Sequence, residues 1–145
     1  MDLGISGNQR KKDFDLNIVN TNRGTTMKIY ESTADNALVL RLQGKMMGGP
    51  DTRKVHERVK YFLSQGMRDV VVDLDALEWL NSAGLGILIA SLITVRRSGG
   101  ELVLTSVKGK AEEVFFMTHL NEVFRTFESV DRACEALGHR IQGMS

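Results

Sequence analysis

Apolar and polar positions alternate along the chain between two periods, and the switch is sharpest in the middle. Val70, Val71 and Val72 form a β-branched run with no alternation, which predicts a strand buried on both faces of a sheet. From Leu85 the spacing becomes helical, through Leu88, Ile89, Leu92 and Val95, with Arg96-Arg97 on the negative end and Gly99-Gly100 as terminator. Upstream, Met27 to Glu31 and Ala37 to Leu42 read as two strands of an antiparallel hairpin, turned by Asp35-Asn36. Gly44 to Gly49 is a predicted loop carrying Met46 and Met47. Pro50 suits the first turn of a helix whose apolar stripe is Val55, Val59, Phe62 and Leu63, stopped by Gly66.

Downstream, Glu101 to Ser106 is a further apolar strand and Lys108-Gly109-Lys110 a basic turn. A helix with Ala111, Val114, Phe115 and Thr118 on one face follows, then a short strand from Phe124 to Phe127. Ser129 can cap a last helix that carries Ala133, Ala136 and Leu137 inward and closes at Gly138. The order is β-β-α-β-α-β-α-β-α. It predicts an α/β domain with a mixed sheet, in which an amino-terminal antiparallel hairpin precedes helix-connected parallel strands with right-handed crossovers. Residues 1–26 lack periodicity and read as a flexible leader, with Phe14, Leu16, Ile18 and Val19 as an alternative edge strand; the domain is expected over residues 27–145.

Between the central strand and the following helix lies Asn81-Ser82, two residues whose side chains favour helix caps. Ser82 is therefore expected at the mouth of a helix, where unpaired backbone N–H groups point outward. Gly84 and Gly86 fall in the first turns, and each costs about 1 kcal/mol relative to Ala. Such glycines serve either tight helix–sheet packing or the close approach of a partner.

Composition narrows the chemistry. At 145 residues with 42% hydrophobic and 26% charged content, the chain is an ordinary globular domain with one core. Nineteen basic side chains against 18 acidic ones give a net charge of +1, so neither nucleic acid nor anionic lipid is an expected partner. One cysteine, Cys134, excludes an internal disulfide, and with no signal-like segment or long apolar run a cytoplasmic protein without membrane insertion is expected. Ser82-Ala83-Gly84 after a strand suggests half of a nucleophile elbow, but Leu80 stands where the preceding glycine would be and no base is placed. His56, His119 and His139 are too scattered for a metal site, and Asp73, Asp75 and Glu78 read as solvated charges around a turn. No catalytic residue, metal or cofactor is expected. Met46 and Met47 are either core cover or, if exposed, an adaptable interface.

Residues Asp73 to Leu88, with Gly99-Gly100-Glu101-Leu102-Val103-Leu104 and Leu120 to Ser129, resemble the STAS domain family, in particular the anti-sigma-factor antagonists. The likeness runs from Met27 to Leu137. It implies a STAS fold and a non-enzymatic regulator of transcription in a bacterial partner-switching pathway. In that family the serine at the Ser82 position is phosphorylated by an anti-sigma factor with serine kinase activity and a GHKL-type ATP site. Phosphorylation breaks the complex, and a PP2C-type phosphatase resets it. The resemblance departs at Asn81, where antagonists most often carry aspartate. Gly84 and Gly86, with the carboxyl-end location of sites in parallel sheets, put the expected partner surface on the Gly44–Gly49 loop, the Asn81–Gly86 turn and the outward side of the helix that follows, with Met46, Met47, Asn81, Ser82, Ala83, Gly84, Leu85 and Gly86 as its candidate residues. The alternative is a non-switching STAS subunit that serves as a scaffold in a larger complex, such as a lipid-transport ATPase assembly.

Overall fold

The computed structural model describes residues 27–34 and 37–144. The expected leader over residues 1–26 and the Asp35-Asn36 turn lie outside the described residues. The sheet has five strands in the order β1 (Met27–Ala34), β2 (Ala37–Met46), β3 (Asp69–Leu80), β4 (Leu102–Thr105) and β5 (Arg125–Phe127). β1 and β2 pair antiparallel from Met27↔Gly44 to Ala34↔Ala37, and the remaining neighbours are parallel. Four α-helices complete the described fold: α1 (Pro50–Ser64), α2 (Ser82–Arg97), α3 (Gly109–Met117) and α4 (Val130–Met144), with a short 3-10 turn at Leu120–Glu122. The expected mixed α/β architecture is the one observed.

The apolar run in β3 has the anticipated cause. Val70, Val72 and Leu74 face a large core with Leu38, Leu40 and Leu42 of β2, Leu102 and Leu104 of β4, and helices α1, α2 and α3. Val71 faces the other way, into a smaller cluster with Val39, Val103 and the Ala133, Cys134 and Leu137 side of α4. Both faces of the central strands are thus dry, and each residue of the run is fully buried. The stripe of α1 is graded: Val55 and Val59 are buried, while Phe62 and Leu63 pack partly against the core.

Three expectations need correction. β2 continues to Met46, so the Gly44–Gly49 loop shrinks to Met47-Gly48-Gly49; Gly44 is absorbed in an irregular stretch of the ladder, where its φ of 104° suits glycine. β3 runs on to Leu80, so Asp73, Asp75 and Glu78 stand on a strand and not around a turn. Asp73 is also buried instead of solvated. Its Oδ1 accepts the Thr105 hydroxyl at 3.0 Å and the Asp75 N–H at 3.1 Å, and its Oδ2 accepts Arg41 Nε at 3.3 Å. Finally, α4 does not close at Gly138 but runs to Met144. An isolated glycine without a left-handed φ is tolerated inside a helix.

On β3, β4 reaches only Val70–Asp73, whereas β2 follows β3 as far as Met46↔Leu80. The β2–β3 ribbon therefore projects past the rest of the sheet and delivers the chain directly into Asn81.

Candidate functional site

At the tip of that ribbon the Asn81 N–H donates to the Met46 carbonyl at 3.2 Å and closes the ladder. Asn81, and not Ser82, is the N-cap of α2: its Oδ1 accepts the Gly84 N–H at 2.9 Å, while its Nδ2 donates to the Met47 carbonyl at 2.9 Å. Of the four amides that a helix start leaves without intrahelical partners, two are therefore satisfied. The N–H groups of Ser82 and Ala83 have no partner among the described residues. Ser82 occupies the first helical position, exposed, with its hydroxyl outside the cap bonding.

The eight candidate residues separate into a buried set and a surface set. Met46 is fully buried, Leu85 is 6% exposed and Gly84 is buried, so these three residues belong to the packing beneath the site. Met46 acts through its carbonyl instead. Met47 is 44% exposed, and Ser82, Ala83 and Gly86 are exposed beside the half-buried Asn81. The structure thus brings Met47, Asn81, Ser82, Ala83 and Gly86 together on one surface.

The two glycines have different reasons. A Cβ on Gly84 would lie 2.8 Å from the Met46 carbonyl oxygen and 3.0 Å from both Met46 Cβ and Leu80 Cδ1, so this glycine lets the helix start seat against the ribbon. A Cβ on Gly86 would meet nothing within 4 Å. Gly86 leaves open space at the surface one turn from Ser82.

Two residues of the site were not singled out from sequence. Gly48 has a φ of 98°, and a Cβ there would stand 2.6 Å from that of Ala83, so the loop presses against the first turn of α2. Thr52 is fully buried, and its hydroxyl accepts the Gly48 N–H at 2.8 Å. The Gly48-Gly49 doublet was the available signal for the tight approach; a threonine on a helix gives no sign of its loop contact.

The remaining candidates lie elsewhere. His56 on α1 shares a 2.8 Å hydrogen bond with Thr94 of α2, and burial, helped by the charge of Lys60, lowers its pKa. His119 is exposed at a left-handed φ of 64°. Asp75 pairs with Lys108 at 2.8 Å, and that hydrogen bond holds its carboxyl below the usual range. No group of three metal-ligating side chains exists among the described residues, and no described helix is long and apolar enough to cross a membrane.

Known proteins share this fold. The chain is 29% identical over 110 residues to the putative anti-sigma factor antagonist BtrV of Bordetella bronchiseptica, covering 76% of this chain and 94% of that one. An anti-sigma factor antagonist from Mycobacterium paratuberculosis superimposes with a TM-score of 0.66 at 20% identity, over 77% of this chain and 93% of its own. The antagonist SpoIIAA shares the fold at 14% identity, with a TM-score of 0.66 in its unphosphorylated form (79% of this chain, 96% of its own). In its phosphorylated form, as a Bacillus protein, it gives 0.61 (74% and 97%). The STAS domain model matches residues 26–133, the sheet, the Asn81–Gly86 turn and most of the helical cover, and the chain belongs to the STAS domain family.

Proposed function

We propose that this protein is a phosphorylation-switched antagonist that binds an anti-sigma factor with serine kinase activity through the surface around Ser82. One observation carries the reading: Ser82 is exposed at the first turn of α2 with a hydroxyl that the fold does not use, because Asn81 does the capping. Phosphate there would lie beside the free N–H groups of Ser82 and Ala83, at the positive end of the helix dipole. The modification is therefore compatible with an unchanged fold, and its effect falls on whatever docks.

A phosphoserine carries about −1.5 to −2 charge at neutral pH. Forced into a desolvated contact with Met47, Ala83 and Gly86, it costs on the order of 2–5 kcal/mol. That is a loss of about 30-fold or more in affinity, enough to break a complex. A PP2C-type phosphatase would reverse it.

The test is capture of the protein from its native cell with intact-mass measurement, followed by binding of variants to the recovered partner. Wild type incubated with ATP and that partner should gain the mass of one phosphate, and Ser82→Ala should bind and gain none. Ser82→Asp should bind less well than Ser82→Ala, and less severely than true phosphoserine, because it brings one charge only. Equal binding of the two variants with no mass gain in wild type would remove the switch and favour the scaffold-subunit role.

A further inference from the structure

We propose that Asn81 is a positioning residue: its amide ties the Met47 loop to the start of α2 and so keeps Met47 on the same surface as Ser82. The inference rests on the partner-surface reading for its functional meaning, and on geometry alone for the tether. Two side chains anchor the loop between β2 and α1 among the described residues. Gly48 is held from the α1 side, by Thr52 at 2.8 Å. Met47 is held from the α2 side, where its carbonyl accepts Asn81 Nδ2 at 2.9 Å. The same Asn81 side chain accepts Gly84 N–H at 2.9 Å, so one planar group spans the loop and the helix cap.

That double duty selects the residue. Among short N-cap formers, only asparagine offers a donor and an acceptor on separate atoms at neutral pH; ionised aspartate accepts only, and serine has a single oxygen. An aspartate at this position would keep the bond from Gly84 and turn a carboxylate oxygen toward the Met47 carbonyl, two acceptors with no proton between them. The charge removed beside Ser82 is thus exchanged for a fixed loop. Met47, with its adaptable thioether, is then presented in one place.

The tether is tested on the isolated protein, labelled on backbone carbonyls and methionine methyls, by comparing wild type with Asn81→Asp and Asn81→Ser. Near neutral pH, both variants should shift the Met47 carbonyl carbon resonance, because that carbonyl loses its Asn81 donor. Their Met47 methyl resonance should shift, while Leu85 and Leu88 stay native because the cap acceptor is kept. Only Asn81→Asp should recover on acidification through the carboxyl range near pH ~4, where its protonated oxygen can donate to the Met47 carbonyl. Wild type and Asn81→Ser should show no such step. Wild-type signals at Met47 in both variants, or no recovery at low pH in Asn81→Asp, would overturn the proposal. An unmodified Ser82 in the native cell would overturn the switch and leave these spectra as they are, so the two failures are distinguishable.

Discussion

The Arg58 guanidinium grips both oxygens of the buried Glu31 carboxylate, Nε to Oε2 at 2.5 Å and Nη2 to Oε1 at 3.0 Å. The pair joins edge strand β1 to α1, and the hydrogen bond to Glu31 raises the Arg58 pKa. Tyr61 and Phe62 lie under the guanidinium at 4.8 and 5.3 Å. Glu31 has a side chain only 5% exposed, so it depends on this partner. Arg58→Ala should destabilise the domain by about 3 kcal/mol, the lower end for a broken buried pair, since the Arg58 side is partly solvated. Arg58→Lys should rescue part of that, keeping the charge without the fork. Urea midpoints for the two variants check both figures.

The glycines of α2 should respond in opposite directions. Gly84→Ala drives a methyl into the Met46 carbonyl and the Leu80 side chain. A cost of about 1–3 kcal/mol is expected from overpacking, against a helix-propensity gain of about 1. Gly86→Ala meets nothing and should stabilise by up to about 1 kcal/mol. Thermal unfolding separates the pair, and under the proposed function Gly86→Ala should still weaken partner binding by covering the open space beside Ser82.

Capping should be separable from the switch. Asn81→Ala removes the acceptor for Gly84 and should cost about 1 kcal/mol. Ser82→Ala removes a hydroxyl outside the cap and should stay within about 0.5 kcal/mol of wild type. Denaturant titration of both variants tests whether the cap has been assigned to the correct residue.

His56 should give the stability curve a slope on the acid side. Its folded pKa lies below the ordinary 6.5, so the unfolded chain takes up this proton first. Above pH ~6.5 the imidazole is neutral in both states and costs nothing. As pH falls through that value toward the folded pKa, protonation favours the unfolded chain and stability declines. His56→Gln should flatten this part of the profile, read as the urea midpoint between about pH 8 and pH 5.

Much of this molecule was legible in the chain. Val70-Val71-Val72 announced a strand dry on both sides, and Pro50 and Gly66 bracketed α1. What escaped depended on contacts distant in sequence. Asp73 looked solvated because its partners Thr105 and Arg41 are each 32 residues away. Met46 and Met47 were indistinguishable as neighbours in sequence, yet the extended ribbon buries the first and turns the second out. Asn81 and Ser82 were equally good caps by residue type. Only the bond to Gly84 assigned the role, and only the Met47 carbonyl explained the asparagine.

If Ser82 carries the proposed switch, the division of labour between those two residues also separates signalling from upkeep. The dry sheet, the Glu31–Arg58 grip and the Asn81 cap help hold the domain together, and none of them passes through the Ser82 hydroxyl. Under the proposed function, a chemical mark on that hydroxyl would be written and erased without sending the chain toward the unfolded pool. The state of the mark and the abundance of the protein would then become independent variables, and a pathway reading the first would be shielded from fluctuations in the stability that governs the second.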